Sequence, residues 1–314
     1  MKTLTVLCPV FEEEDVVREF HQELRRALAA VESRWSWSVV YVADRGTDRT
    51  LDVLRALAAA DPSVRVLALS SHFGQQASLL AGLDHCDADA VVMMDGDLQH
   101  PPSLVPELLA AHDRGYDVVY TVREDSPDIP LLKRLTARWF YRLVNAISDT
   151  PIHEGAADFR LVSRRVVEVF QHGIRERGLF LRGLFVWVGF PSCAVRFRVG
   201  PRRAGRTKYT FGRMLRFGLG GVVGFSRAPL RAAAGAGALV FGLGLAASGW
   251  GVWGLVRAGS PPPWALPLAL FGLVSGAQLV FLGILGEYLG AVLDEVRARP
   301  HYVVAERIGF EPGP

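Results

Sequence analysis

The chain has 314 residues, half of them apolar and 21% charged, with a mean hydropathy of +0.22. Soluble domains carry nearer ~25% charge, so length predicts roughly two domains and composition predicts that one of them lies outside water. Disordered, collagen-like and low-complexity classes are excluded. The net charge of +3 hides an uneven distribution of 35 basic and 32 acidic residues. Cys8, Cys86 and Cys193 have no metal-ligand spacing and fit buried thiols in a reducing compartment.

Short apolar or β-branched runs at Leu4–Val10, Ser38–Ala43, Val64–Leu69, Ala90–Met94 and Asp117–Thr121 predict strands. Helical patterns lie between them around Asp15–Ala30, Thr50–Ala60, Gln75–Cys86 and Ser103–Arg114. Strand followed by helix, four times over, predicts an α/β fold with a mostly parallel sheet covered on both faces. Ligands of such sheets bind beyond the carboxyl ends of the strands. The loops after Val10, Ala43, Leu69 and Met94 are therefore the candidates for a site.

The sharpest chemical signal follows the fourth strand, at Asp95-Gly96-Asp97. Two carboxylates two residues apart at a strand end supply hard oxygen ligands for Mg²⁺ or Mn²⁺ bridging a diphosphate, and Gly96 lets the backbone come close. The competing structural reading is a polar strand-to-turn cap. Asp158 follows the small residues Gly155-Ala156-Ala157, which leave room for a ligand; its structural alternative is an ion pair with Arg160 or Arg164. Arg123, beyond the fifth strand, is a candidate diphosphate contact. A basic loop, Gly200-Pro201-Arg202-Arg203-Ala204-Gly205-Arg206-Thr207-Lys208-Tyr209, precedes an Arg-studded apolar segment at 211–229. That segment predicts an interfacial helix, and the loop predicts a grip on a membrane-anchored phosphate or, more simply, attraction to anionic lipid. His72, His85, His100, His153 and His172 share no metal-ligand spacing and read as ordinary residues.

Ala232–Val256 and Trp264–Gly286 are uncharged runs separated by Arg257 and the prolines 261–263. Each exceeds the about 20 residues that cross a hydrocarbon core, which predicts a transmembrane hairpin over 230–290 with spans near 232–256 and 264–287. Arg227 and Arg231 before it and Arg297 and Arg299 after it outweigh Arg257 at the tip. The positive-inside rule then places both ends, a domain at 1–210 and a tail at 291–314, in the cytoplasm of a cell-membrane protein with two spans. Met1-Lys2 opens on a strand-like run and does not resemble a signal peptide.

Taken in order, Pro9 to Glu14, Asp44 to Thr50, Phe73-Gly74 with Ala81 to Asp84, Met94 to Pro102, Asp158 to Leu161, Lys208-Tyr209 and Gly286 to Gly290 resemble inverting glycosyltransferase family 2. Within it they resemble the polyprenyl-phosphate glycosyltransferases. The resemblance implies a glycosyltransferase A fold, a nucleotide-sugar donor, a divalent metal (Mg²⁺ or Mn²⁺) on Asp95 and Asp97, and a polyprenyl phosphate acceptor at the cytoplasmic membrane face. It implies a donor contact set of Pro9, Val10, Glu12, Glu14, Asp44, Asp95, Gly96 and Arg123. It also implies Asp158 as the residue facing the acceptor and candidate base, and Arg202, Arg206, Thr207, Lys208 and Tyr209 at the acceptor phosphate. Asp97, Asp158, Arg202 and Lys208 make up the expected catalytic set. No nucleic acid is expected, and a homo-oligomer is left open.

The departures fall in the donor half. The family's Asp-Asp-Gly-Ser loop reads Ala43-Asp44-Arg45-Gly46 here, Arg49 replaces a second glycine, and Glu12 stands where asparagine is usual. A second reading follows from them: a catalytically weak, membrane-anchored relative that binds a nucleotide or a partner.

Overall fold

The computed structural model describes residues 1–124, 156–177, 179–198 and 265–310, with scattered residues between 233 and 253. The strands are β1 (Lys2–Val10), β2 (Trp35–Ala43), β3 (Val64–Leu69), β4 (Ala90–Met93), β5 (Val118–Glu124), β6 (Ala156–Ser163), β7 (Ser192–Arg198) and β8 (Val304–Ile308). The helices are α1 (Val17–Ala29), α2 (Thr50–Ala60), α3 (Gln75–Asp84), α4 (Val105–Asp113), α5 (Arg164–His172), α6 (Leu181–Trp187) and α7 (Ala265–Arg297).

One eight-stranded sheet runs in the order β7-β5-β6-β4-β1-β2-β3-β8. Strands β4, β1, β2 and β3 are mutually parallel, β5 and β7 are parallel to each other, and β6 and β8 run antiparallel to their neighbours. This is the expected α/β sheet with a parallel centre. The central strands are near-continuous apolar runs because both their faces are covered: Val6, Val39, Val66 and Val92 are fully buried. Helix α1 shows only one face to the core, with Val17, Phe20, His21, Leu24 and Leu28 buried at helical spacing. Helix α3 is buried along Ala77–Leu83. It lies so close to β1 that a Cβ on Gly82 would fall 2.0 Å from Leu7 Cδ1.

The chain divides into two compact units. The first comprises Met1–Asn145, Thr150–Thr210 and Arg299–Pro314, and the second Ala146–Asp149 and Phe211–Ala298. The first unit includes residues that the sequence reading left in a tail: β8 pairs with β3, Glu306 meets Arg55 at 2.6 Å, and Tyr302 donates to Asp84 at 2.6 Å. In the second unit, α7 runs ten residues past Glu287, because Tyr288–Arg297 has no glycine–proline break after Gly290. Within it Leu273–Arg297 is long and apolar enough to cross a membrane, and it is the single such helix among the described residues. Most of the expected first span, the interfacial segment at 211–229 and the loop holding Arg202, Arg206, Thr207, Lys208 and Tyr209 lie outside the described residues.

Candidate active site

The carboxyl ends of β1 to β4 bring four loops to one edge of the sheet; of the expected donor and metal residues, Glu12, Glu14, Asp44, Asp95, Gly96 and Asp97 sit on them, Pro9 and Val10 end β1, and Arg123 lies on β5. Asp44 N donates to Val10 O, tying the second loop to the first, and Met94 N donates to Leu7 O. Gly96 has no room for a side chain, since a Cβ there would stand 2.9 Å from Val10 Cγ1. The close approach that this glycine permits is thus to β1.

The first two loops form one knot of hydrogen bonds. Asp48 caps α2 through Thr50 N at 3.2 Å and accepts the Thr50 hydroxyl at 2.6 Å, while that hydroxyl accepts Glu13 N at 2.8 Å. Glu14 accepts Arg49 N at 2.7 Å, and Glu12 accepts the Thr47 hydroxyl at 3.2 Å. Glu12 has φ +54°, in the left-handed region that asparagine adopts more readily than glutamate. Gly46 leaves space for it, because a Cβ at Gly46 would fall 2.9 Å from Glu12 Cγ. The unusual Glu12 therefore occupies a strained turn supported from the Asp44–Thr50 loop.

Asp44 faces inward. Its carboxylate accepts Phe73 N at 2.9 Å and Gly74 N at 2.8 Å, and so caps the start of α3. His72 Nδ1 lies 2.7 Å from the same carboxylate, and its ring packs at a tilt against Phe11, with centroids 4.3 Å apart. Arg45 turns outward to the Ser70 carbonyl at 2.9 Å. Glu12 and Arg45, two residues that depart from the family pattern, are thus both engaged by the loops at the carboxyl edge of the sheet.

Asp95 accepts the side-chain amide of Gln75 at 2.8 Å, and its own backbone N–H donates to His100 Nδ1 at 3.0 Å. Nδ1 is therefore an acceptor, the ring proton sits on Nε2, and the 3.6 Å approach of Nδ1 to Asp95 Oδ2 is not an ion pair. His100 is clamped between Phe159, stacked at 5.2 Å, and Phe197, edge-on at 6.0 Å. Burial, together with the neighbouring Asp158 and Asp97 carboxylates, holds the Asp95 carboxyl above its usual range. Asp97 folds back on Gln99, accepting its backbone N–H at 3.0 Å and its amide at 2.7 Å, with Leu98 between them at φ +60°.

Asp158, on β6, is buried and gripped at both oxygens by Arg182 of α6, at 2.7 and 2.8 Å. Burial alone raises its carboxyl, but the Arg182 hydrogen bonds and charge outweigh that and hold it below the usual carboxylate range. Arg160 Nη2 stands 3.8 Å from Asp158 Oδ1, and its guanidinium lies over Phe185. Arg164, the other partner weighed for Asp158, pairs instead with Asp87 and Glu168. The backbone of Arg123 pairs with Phe197 in the sheet, and its side chain lies outside the described residues.

Sequence reasoning missed Arg182, Gln75, His72 and His100 as members of this region. His100 lies in the same Met94–Pro102 stretch as Asp95, but nothing in its spacing marks it as that residue's partner, while Arg182, Gln75 and His72 are each brought in from a loop or helix start remote in sequence from the residue they meet. Among the described residues no three His, Cys, Asp or Glu side chains converge as a complete metal cage. Asp95 and Asp97 nevertheless fit a cation that takes few protein ligands and completes its shell with substrate phosphates, as Mg²⁺ does. Burial and the neighbouring Asp158 and Asp97 carboxylates disfavour a bare charge on Asp95, a cost that a bound cation would offset.

A parallel-centred sheet with an acidic pair after its fourth strand defines an α/β enzyme that handles a phosphorylated donor. The chain belongs to glycosyl transferase family 2, whose model matches residues 5–170, and it is a nucleotide-sugar glycosyltransferase. Its relatives match end to end. An uncharacterized glycosyltransferase of Bacillus subtilis is 34% identical over 98% of this chain and 94% of its own length. The bactoprenol glucosyl transferase of Shigella phage SfII is 35% identical over 96% of this chain and 97% of its own length. A prophage bactoprenol glucosyl transferase homolog of Escherichia coli K12 is 34% identical over 96% and 98%.

Proposed function

We propose that the protein transfers a sugar from a nucleotide diphosphate donor to a polyprenyl phosphate at the cytoplasmic face of the cell membrane, with inversion at the anomeric carbon. The observation that carries this is the grouping of Asp95, Asp97 and Asp158 at the carboxyl edge of the sheet, in a chain that also holds a helix fit to cross a membrane. The end-to-end likeness to bactoprenol glucosyl transferases supports the acceptor class.

In this reading Asp95 and Asp97 hold Mg²⁺ or Mn²⁺, which when bound neutralises charge on the leaving diphosphate. The loops of Pro9, Val10, Glu12, Glu14 and Asp44, with Gly96 and Arg123, shape the donor pocket. Asp44 acts there by fixing the start of α3, and Arg45 by closing the outer loop on Ser70. Arg202, Arg206, Thr207, Lys208 and Tyr209 take the lipid phosphate, whose second pKa near ~6 leaves the attacking oxygen largely anionic at neutral pH. Asp158 therefore orients charge at the acceptor side more than it removes a proton. One in-line displacement at the anomeric carbon gives inversion.

The division into a catalytic domain at 1–210, an interfacial segment at 211–229, a hairpin at 230–290 with two spans, and cytoplasmic termini belongs to the same proposal, with β8 added to the catalytic domain. A homo-oligomer remains compatible with it. Transfer measured with and without chelator, for the wild type and for Asp97→Asn, tests the reading: both chelation and the substitution are expected to cut transfer by orders of magnitude. Undiminished transfer in excess chelator contradicts it.

A further inference from the structure

Arg182 supplies the positive charge nearest to Asp158. Its fork engages both oxygens of a carboxylate that is 9% exposed, while its own side chain keeps 36% exposure toward the carboxyl edge of the sheet. The grip is built in from the helix. Gln76 Oε1 accepts the backbone N–H of Leu181 at 3.0 Å and fixes the first turn of α6, and its neighbour Gln75 holds Asp95 at 2.8 Å. Two consecutive residues at the start of α3 thus set the metal-side carboxylate and the helix that carries Arg182. From the same helix, Phe185 lies under the Arg160 guanidinium, 4.7 Å from ring centroid to cation, so α6 frames Asp158 from two sides.

A guanidinium fixed among carboxylates has two consequences. It orients the anion that it binds, because a bidentate pair has one geometry. It also opposes any further cation brought to the same carboxylates.

We propose that Arg182 is a positioning residue with both effects: it sets the orientation of Asp158 and, as a fixed cation in the acidic cluster, restrains the affinity of the site for the divalent metal. This rests on the reading of Asp95 and Asp97 as the metal-side pair. The restraint serves turnover, since an ion bound too tightly with the diphosphate product slows its release.

The test uses the full-length protein in detergent and follows Mn²⁺ binding by calorimetry, with MnCl₂ alone and with MnCl₂ plus nucleoside diphosphate, beside steady-state transfer. Arg182→Met is expected to bind Mn²⁺ about tenfold more tightly, as loss of one nearby unit charge in a partly screened site implies, and to lose kcat. The double variant Arg182→Met, Asp158→Asn removes a charge of each sign and is expected to return to within about threefold of the wild-type Mn²⁺ affinity. Arg182→Lys keeps the charge and loses the fork, so Mn²⁺ affinity is expected to hold while kcat falls with the donor KM unchanged. A folded Arg182→Met with unchanged or weaker Mn²⁺ binding overturns the inference. If that variant does not fold, wild-type kcat in Arg182→Lys overturns it. A wild type that neither binds Mn²⁺ nor transfers sugar overturns the functional reading and this one together, whereas a competent wild type with an indifferent Arg182→Met overturns this one alone.

Discussion

The carboxylate of Asp44 accepts the backbone N–H groups of Phe73 and Gly74, at 2.9 and 2.8 Å, so an aspartate at the end of β2 caps the helix that follows β3. Asp44→Ala leaves two donors at the start of α3 without their acceptor. Each such loss costs about 1–3 kcal/mol, and the His72–Phe11 ring pair loses its anchor. Chemical denaturation is expected to show a loss of about 2–4 kcal/mol in stability, with weakened nucleotide binding by calorimetry. Unchanged stability with weakened binding would instead place Asp44 on the ligand.

Gly82 packs against Leu7, which is fully buried, and a Cβ on Gly82 would fall within 2.8 Å of its Cγ as well as of both its methyl groups. Gly82→Ala is expected to cost about 1–3 kcal/mol through overpacking. Adding Leu7→Ala makes room for the new methyl group, so the pair should cost less than the sum of the single changes. Additive costs in a double-mutant cycle would contradict the packing described.

Asp89 accepts Thr3 N at 2.7 Å and the Thr3 hydroxyl at 3.0 Å, and these bonds hold its carboxyl below the usual range. A carboxyl depressed in the folded state stabilises the fold above its unfolded pKa and loses that contribution as pH falls through the folded one. Asp89→Asn should therefore melt below the wild type near neutral pH, and the gap should close in acid, below the usual carboxylate range. A gap independent of pH would show that the charge is not what matters at Thr3.

In the proposed acceptor loop, Lys208→Ala and Arg202→Ala are expected to raise the KM for the lipid phosphate by about tenfold or more, the worth of one charge-assisted bond. Nucleotide affinity should stay within about twofold. Equal losses for both substrates would move these residues to the donor side.

Much of the sheet was legible in the sequence. Val64–Leu69 and Thr50–Ala60 fall where their patterns place them, because a strand buried on both faces and an alanine-rich helix each carry a strong period. The antiparallel members were not legible. Val304–Ile308 alternates in exposure as an edge strand does, yet with Glu306 and Arg307 inside it the segment reads as a charged tail. Ser163 stands at the start of α5 as a serine cap would, but its hydroxyl serves Asp117 at 2.7 Å and does not cap the helix. Asp95 and Asp97 were legible as a candidate pair because they share one turn after β4. Arg182 was not, because its bond to Asp158 spans 24 residues and two elements, and nothing local marks it.

The central claim is tested most directly by mass spectrometry of the lipid product, after the full-length protein is incubated with undecaprenyl phosphate, Mg²⁺ and each of a panel of nucleotide sugars. The account predicts one hexose added to undecaprenyl phosphate from a preferred donor, and none in Asp95→Asn or Asp97→Asn. A wild type that binds nucleotide yet yields no sugar-bearing lipid with any donor, in a membrane-inserted and folded state, would contradict it and leave the catalytically weak relative as the reading.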